Sequence, residues 1–172
     1  MNLRGRQVEI ADPLCPFYNN LDEDAVHLFF NCSKIEYLGH IVSGEGVAMD
    51  ATKVQAVLEW PTPLNIKQLR GFLGLTGYYR RFIKGYAKLA APLTDLLKEE
   101  AFKWTPEAET TFVQLQKVMT SAPVLALPNF QLPFILETNA SDTGIGAVLH
   151  QNGHPIAFFS KKLAPRVQKK SD

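Results

Sequence analysis

The sequence predicts an α+β fold: a β-hairpin, a middle section of three or four helices, and a closing three-stranded antiparallel meander. Three observations predict it. Residues 35–49 are rich in β-branched and aromatic residues around a Ser43-Gly44-Glu45-Gly46 turn. Residues 50–122 place apolar residues at helical spacing between capping and proline signals. Residues 134–160 set apolar runs on both sides of Asn152-Gly153, a strong hairpin signal. Hydrophobic residues make up 46% of the 172 and charged residues 20%, enough to bury a core and too apolar for a wholly disordered chain.

Residues 1–33 show little periodicity and carry an acidic patch, Asp22-Glu23-Asp24. Ile35 to Val42 reads as one strand and Val47 to Met49 as its return. Asp50 is a good N-cap for a short helix running to about Glu59, with Val54, Val57 and Leu58 on one face. Pro61 and Pro63 end it, because proline lacks the amide donor. Asn65 caps the next helix with Gln68 three residues on, as in a capping box. Its stripe is Leu69, Phe72, Leu73, Tyr79, Phe82 and Ile83, interrupted by Gly71, Gly74 and Gly77. Each glycine costs a helix about 1 kcal/mol against alanine, so either the helix breaks there or close backbone approach compensates. Tyr86 to Lys98 reads as one further helix. Thr105-Pro106-Glu107 starts another, with Phe112, Leu115 and Met119 facing inward and Pro123 stopping it. Strands are expected over Phe134 to Asn139, Ile145 to Gln151 and Pro155 to Ser160. The last of these leaves one face of the meander uncovered, the mark of an incomplete sheet domain.

No apolar run approaches the roughly 20 residues of a membrane-spanning helix. Met1 to Ile10 lacks the apolar centre of a secretory signal, and two cysteines are too few for a disulfide framework. An intracellular, reducing compartment is the expectation. The net charge of +1 hides an asymmetry: residues 1–59 hold 4 Lys/Arg against 9 Asp/Glu, whereas residues 60–98 hold 7 against 1. The basic middle points to a polyanion; the plainer alternative is that these cations solvate helix surfaces.

Tyr37-Leu38-Gly39-His40-Ile41-Val42-Ser43, Glu59-Trp60-Pro61-Thr62-Pro63 and the run Leu69-Arg70-Gly71-Phe72-Leu73-Gly74-Leu75-Thr76-Gly77-Tyr78-Tyr79-Arg80-Arg81-Phe82-Ile83 resemble the polymerase of gypsy-type LTR retrotransposons. The resemblance continues through Pro92-Leu93-Thr94, Phe102-Lys103-Trp104, Ala122-Pro123-Val124-Leu125, Glu137-Thr138-Asn139-Ala140-Ser141, Gly144-Ile145-Gly146-Ala147-Val148-Leu149 and Ile156-Ala157-Phe158-Phe159-Ser160. It implies the end of a reverse transcriptase palm, its helical thumb and connection over residues 34–122, then the first strands of an RNase H-like domain over 123–165 and a tail over 166–172. Residues 1–33 resemble instead a zinc-binding module of plant LINE-type reverse transcriptases. Cys15, His27 and Cys32 match its ligand positions, but Tyr18 stands where a second cysteine belongs and phenol is a poor substitute for thiolate. The expectation is a degraded module that holds no metal.

The resemblance implies magnesium chemistry in the parent family, and the residues argue against it here. Polymerisation uses paired carboxylates that hold two magnesium ions about 4 Å apart, and no Asp-Asp pair occurs in the chain. The first acid of the RNase H cluster falls at Asn139, a neutral amide. Glu137 and Asp142 are lone acids, and His150 and His154 flank a turn as ordinary polar residues. The expectation is therefore a catalytically inactive segment of the polyprotein. The alternatives are a residual binding module for an RNA–DNA duplex, or a subunit completed by a partner chain. Lys67, Arg70, Tyr78, Tyr79, Arg80, Arg81, Lys84 and Lys88 are the candidate nucleic-acid contacts: cations for phosphates, rings for stacking. The competing reading packs the tyrosines and glycines between helices and leaves the charges solvated. Open sheet edges in the meander are expected to favour self-association.

Overall fold

The computed structural model describes residues 34–98 and 102–163, so the cysteine- and histidine-bearing stretch at 1–33 and the tail lie outside the described residues. The described chain is α+β, with one three-stranded antiparallel sheet before the helices in the chain and another after them.

The first sheet is a meander, not the expected hairpin. Strands β1 (Lys34–Tyr37), β2 (His40–Ser43) and β3 (Gly46–Met49) lie side by side in that order. The run read as one strand folds back at Leu38-Gly39, both with positive φ (50° and 73°). Leucine is costly in that conformation, and two tyrosines offset the cost. Tyr78 Oη donates to the Leu38 carbonyl at 2.7 Å and Tyr79 Oη to the Gly39 carbonyl at 2.8 Å. Neither contact is visible in the local pattern. At the other turn, a Cβ on Gly46 would fall on the Leu125 carbonyl. Val47 and Leu125 bridge there through backbone hydrogen bonds of 2.7 and 2.8 Å.

Helix α1 (Ala51–Leu58) starts where Asp50 predicts, with the Asp50 carboxylate accepting from Thr52 N at 2.7 Å. Val57 is fully buried, but Leu58 is 40% exposed and leaves the stripe expected of it. Asn65 caps α2 (Ile66–Tyr78) as read, accepting from Gln68 N at 3.0 Å, while Gln68 Oε1 reaches back to Leu64 N at 2.7 Å. All three glycines stay helical. Gly71 lies where a Cβ would come 3.2 Å from the Trp60 ring and Gly77 where it would come 3.5 Å from Tyr86 Oη, whereas Gly74 faces open space. A short 3-10 turn, Arg80–Phe82, follows. The single helix expected over 86–98 is two, α3 (Tyr86–Leu89) and α4 (Ala91–Leu96). Proline at the start of α4 can neither donate to the preceding turn nor let it continue. Helix α5 (Pro106–Thr120) begins with Thr105 accepting from Ala108 N at 3.1 Å and buries Phe112, Leu115 and Met119.

The core gathers Leu69, Phe72, Tyr79, Phe82, Leu93, Phe112, Leu115 and Met119, with the Phe72 and Phe112 rings 4.5 Å apart. The second sheet is β4 (Ile135–Ser141), β5 (Gly144–Gln151) and β6 (His154–Lys162) in that order. Asn152-Gly153 makes its tight turn with φ of 49° and 78°, as the sequence predicts. Buried Gln151 fastens the approach to the sheet, with its Oε1 accepting from Asn129 N at 2.9 Å and its Nε2 donating to the Asn129 and Leu132 carbonyls. The sheet meets the helices along β6, through α3 and the 3-10 turn, and β4 is exposed over its whole length.

Candidate nucleic-acid interface

Five of the six candidate cations sit on three successive elements: Lys67 and Arg70 on α2, Arg80 and Arg81 on the 3-10 turn, and Lys88 on α3, while Lys84 lies in the turn just before α3. All six are exposed, and none enters an ion pair among the described residues. Residues 60–98 have 7 cations to 1 acid, and that acid, Asp95, is turned to other partners.

The structure separates the two tyrosines. Tyr78 is 48% exposed, with one face against His40 at a ring separation of 5.3 Å. Tyr79 is 1% exposed, packs on His40 and Phe82, and spends its hydroxyl on the Gly39 carbonyl. Its ring is a core residue and cannot stack on a base in this conformation, which corrects its place among the contacts. Burial, with a smaller push from the Asp50 charge, raises its phenol to about 12. Tyr86 is also buried, and its hydroxyl pairs with Thr76 Oγ1 at 2.9 Å. Gly71 and Gly77 likewise serve packing, beside Trp60 and Tyr86.

Lys84 and Lys88 look into a cleft of about 570 Å³ between α3 and the second sheet. Its far wall includes Glu137, Asn139, Ser141, Val148, Phe158 and Lys162. Period-two alternation puts Glu137, Asn139 and Ser141 on the same face as Val148, Phe158 and Ser160. Lys84 and Lys88 are far from Asn139 in sequence, and the fold brings these three to one cleft, while Lys67, Arg70, Arg80 and Arg81 lie outside its lining. The joint is tertiary. Ser160 Oγ accepts from Ala87 N at 2.8 Å, an unmet amide of α3's first turn that lies 73 residues away. Lys162 Nζ reaches Asp95 at 2.6 Å, and Lys98 Nζ holds its other oxygen at 2.7 Å. These hydrogen bonds, from Lys162 first and then Lys98, hold the Asp95 carboxyl below its ordinary range.

A pair of magnesium ions needs several charged oxygens. This face offers the neutral Asn139 and Glu137, whose Oε1 stands 3.3 Å from His150 Nε2. Among the described residues no group of three or more His, Cys, Asp or Glu is gathered to hold a metal. The donor set does not fit the metal pair that the resemblance implies.

Residues 104–172 match the RNase H-like domain found in reverse transcriptase. An uncharacterized mitochondrial protein of Arabidopsis thaliana is 51% identical over 121 residues, covering 69% of this chain and 74% of that protein. The retrovirus-related Pol polyprotein from transposon 297 of Drosophila melanogaster is 45% identical over 129 residues, covering 74% of this chain and 12% of the polyprotein. That from transposon gypsy of the same organism is 42% identical over 142 residues, covering 75% of this chain and 14% of the polyprotein. The chain thus spans a small part of the Pol polyproteins it matches. A foamy viral protease-reverse transcriptase, solved in complex with RNA/DNA hybrid, superposes with a TM-score of 0.75 at 22% identity, over 81% of this chain and 20% of that one, a likeness of fold. Over about three quarters of its length the chain is similar to retrotransposon Pol polyproteins, and its residues 104–172 carry the match to an RNase H-like domain of the kind found in reverse transcriptase.

Proposed function

We propose that this chain is a gypsy-type Pol segment that contacts nucleic acid through the exposed cations of α2, the 3-10 turn and α3, and that it catalyses neither polymerisation nor RNA cleavage by itself. One observation carries the binding reading: six exposed cations along α2, the 3-10 turn, α3 and the turn that leads into it, with no ion-pair partner among the described residues. Cations not already matched by acids can displace the counterions of a phosphate backbone, and that release drives binding. Structural neighbours were solved with RNA/DNA hybrid and with dsDNA, which supports a duplex as the partner. The gypsy placement is supported by 42% identity to that element's polyprotein. The absence of catalysis is supported by Asn139 and by the lack of a gathered acid cluster among the described residues.

The test is a labelled RNA–DNA duplex incubated with the full chain and magnesium at about 50 and about 200 mM salt. The expected outcome is an intact, shifted duplex at low salt and loss of the shift at high salt. Absence of a shift at low salt contradicts binding. Cleavage that Glu137→Gln abolishes contradicts inactivity.

A further inference from the structure

Of the three glycines in α2, Gly74 alone lacks a packing reason. A Cβ on Gly71 would meet Trp60 and one on Gly77 would meet Tyr86, but nothing lies within 4 Å of the place a Cβ would take on Gly74. An unpacked glycine inside a helix is destabilising against alanine. Four residues on, and so on the same face of the helix, stands Tyr78. A helical side chain leans back over the turn before its own, and here that turn is bare at Gly74.

The Tyr78 ring is fixed in place. Its hydroxyl donates to the Leu38 carbonyl at 2.7 Å, and His40 Nδ1 meets the same carbonyl at 3.0 Å. The ring lies 5.3 Å from that of His40 and 5.0 Å, edge to face, from that of Tyr79. Held in this way, it is still 48% exposed. Exposed Arg80 and Arg81 follow within three residues.

We infer that Tyr78 stacks on an unpaired base, so that the chain prefers a duplex carrying a single-stranded overhang to a fully paired one. This inference rests on the reading of nucleic-acid contact above and adds the form of the nucleic acid. Inside a duplex each base is covered on both faces by its neighbours, and a ring on the flank of a protein helix finds no free face there. An unpaired base offers one and can be splayed onto an aromatic side chain. A ring already locked by its hydroxyl loses little further freedom on binding. The bare turn at Gly74 leaves room beside the ring, and the two arginines are placed to take phosphates next to the stacked base. Every base has a flat face, so the contact is indifferent to sequence.

The test measures the affinity of the full chain at one low salt concentration for three ligands. These are a blunt RNA–DNA duplex, the same duplex with a DNA overhang of about four nucleotides, and that overhang made abasic. The abasic strand keeps the phosphates and removes only the bases. The overhang with bases should bind roughly tenfold tighter than its abasic counterpart. Tyr78→Leu should abolish that ratio and leave the salt slope of blunt-duplex binding unchanged, because no cation is lost. Gly74→Gln keeps the ring and favours the helix, and should reduce the ratio by filling the room beside Tyr78. Equal affinity for the two overhangs, or a ratio that survives either substitution, overturns the inference while the cation contacts stand. Failure to bind any of the three ligands overturns the cation contacts as well.

Discussion

Gly39 shows how much one position can carry. It holds a φ of +73°, and a Cβ there would lie 2.7 Å from Tyr79 Oη. Gly39→Ala should therefore cost more than about 1 kcal/mol, read as a lowered melting temperature, because strain and clash act together. Tyr79→Phe should cost about 1 kcal/mol, since the Gly39 carbonyl keeps a second donor in Asp50 N at 3.1 Å. The Tyr79 phenol also sets an alkaline limit. Burial favours its neutral form and moves its folded value up to about 12, from an ordinary 10.0. The stability this represents is full below the ordinary value and is lost as pH rises through the folded one. Ultraviolet titration should show this phenol ionising near pH 12, together with unfolding; ionisation at its ordinary value in a folded protein would contradict the packing. The pair Tyr78-Tyr79 was legible in the sequence as two rings beside cations. Which ring is shown and which is buried was not, because the turn that covers Tyr79 lies 40 residues away.

At the scale of elements, caps were readable and breaks were not. Asp50, Asn65 and Thr105 each accept from the amide their position predicts, a bond within one turn of the chain. The fold-back at Leu38-Gly39 depends on partners distant in sequence, on which local propensity is silent, whereas the division of α3 from α4 is marked by Pro92, a local signal that the apolar stripe of residues 86–98 outweighed. Helix α3 has no side-chain cap of its own, and Ser160 supplies one from β6. Ser160→Ala should cost about 1–2 kcal/mol and speed amide exchange at Ala87 ahead of global unfolding. Unchanged exchange there would mean the sheet does not steady the helix. The Asp95 pairing with Lys162 joins the next helix, α4, to the same strand near the surface and is worth less than about 1 kcal/mol. Because the carboxyl is held low, this contribution is present above its ordinary value of 3.8 and disappears as pH falls through the lower folded one. The stability gap between wild type and Lys162→Ala should therefore close in acid.

Across the whole molecule, the order of sheet, helices and sheet was legible from periodicity and turn residues, and the activity class came from resemblance alone. The cleft that sets Lys84 and Lys88 across from Asn139 was not legible. It exists because two hydrophobic layers dock through Phe158 and Ser160, and no local pattern encodes that docking. The same docking leaves the cations of residues 67–88 on the surface, and the functional account stands on their freedom to meet phosphates. The salt dependence of duplex binding measures that freedom most directly. For the full chain, log affinity should fall linearly with log salt, by roughly 0.9 for each phosphate neutralised. Arg80→Ala with Arg81→Ala should reduce that slope by roughly 2 and weaken binding to every sequence alike. A slope that these substitutions leave unchanged would contradict the account.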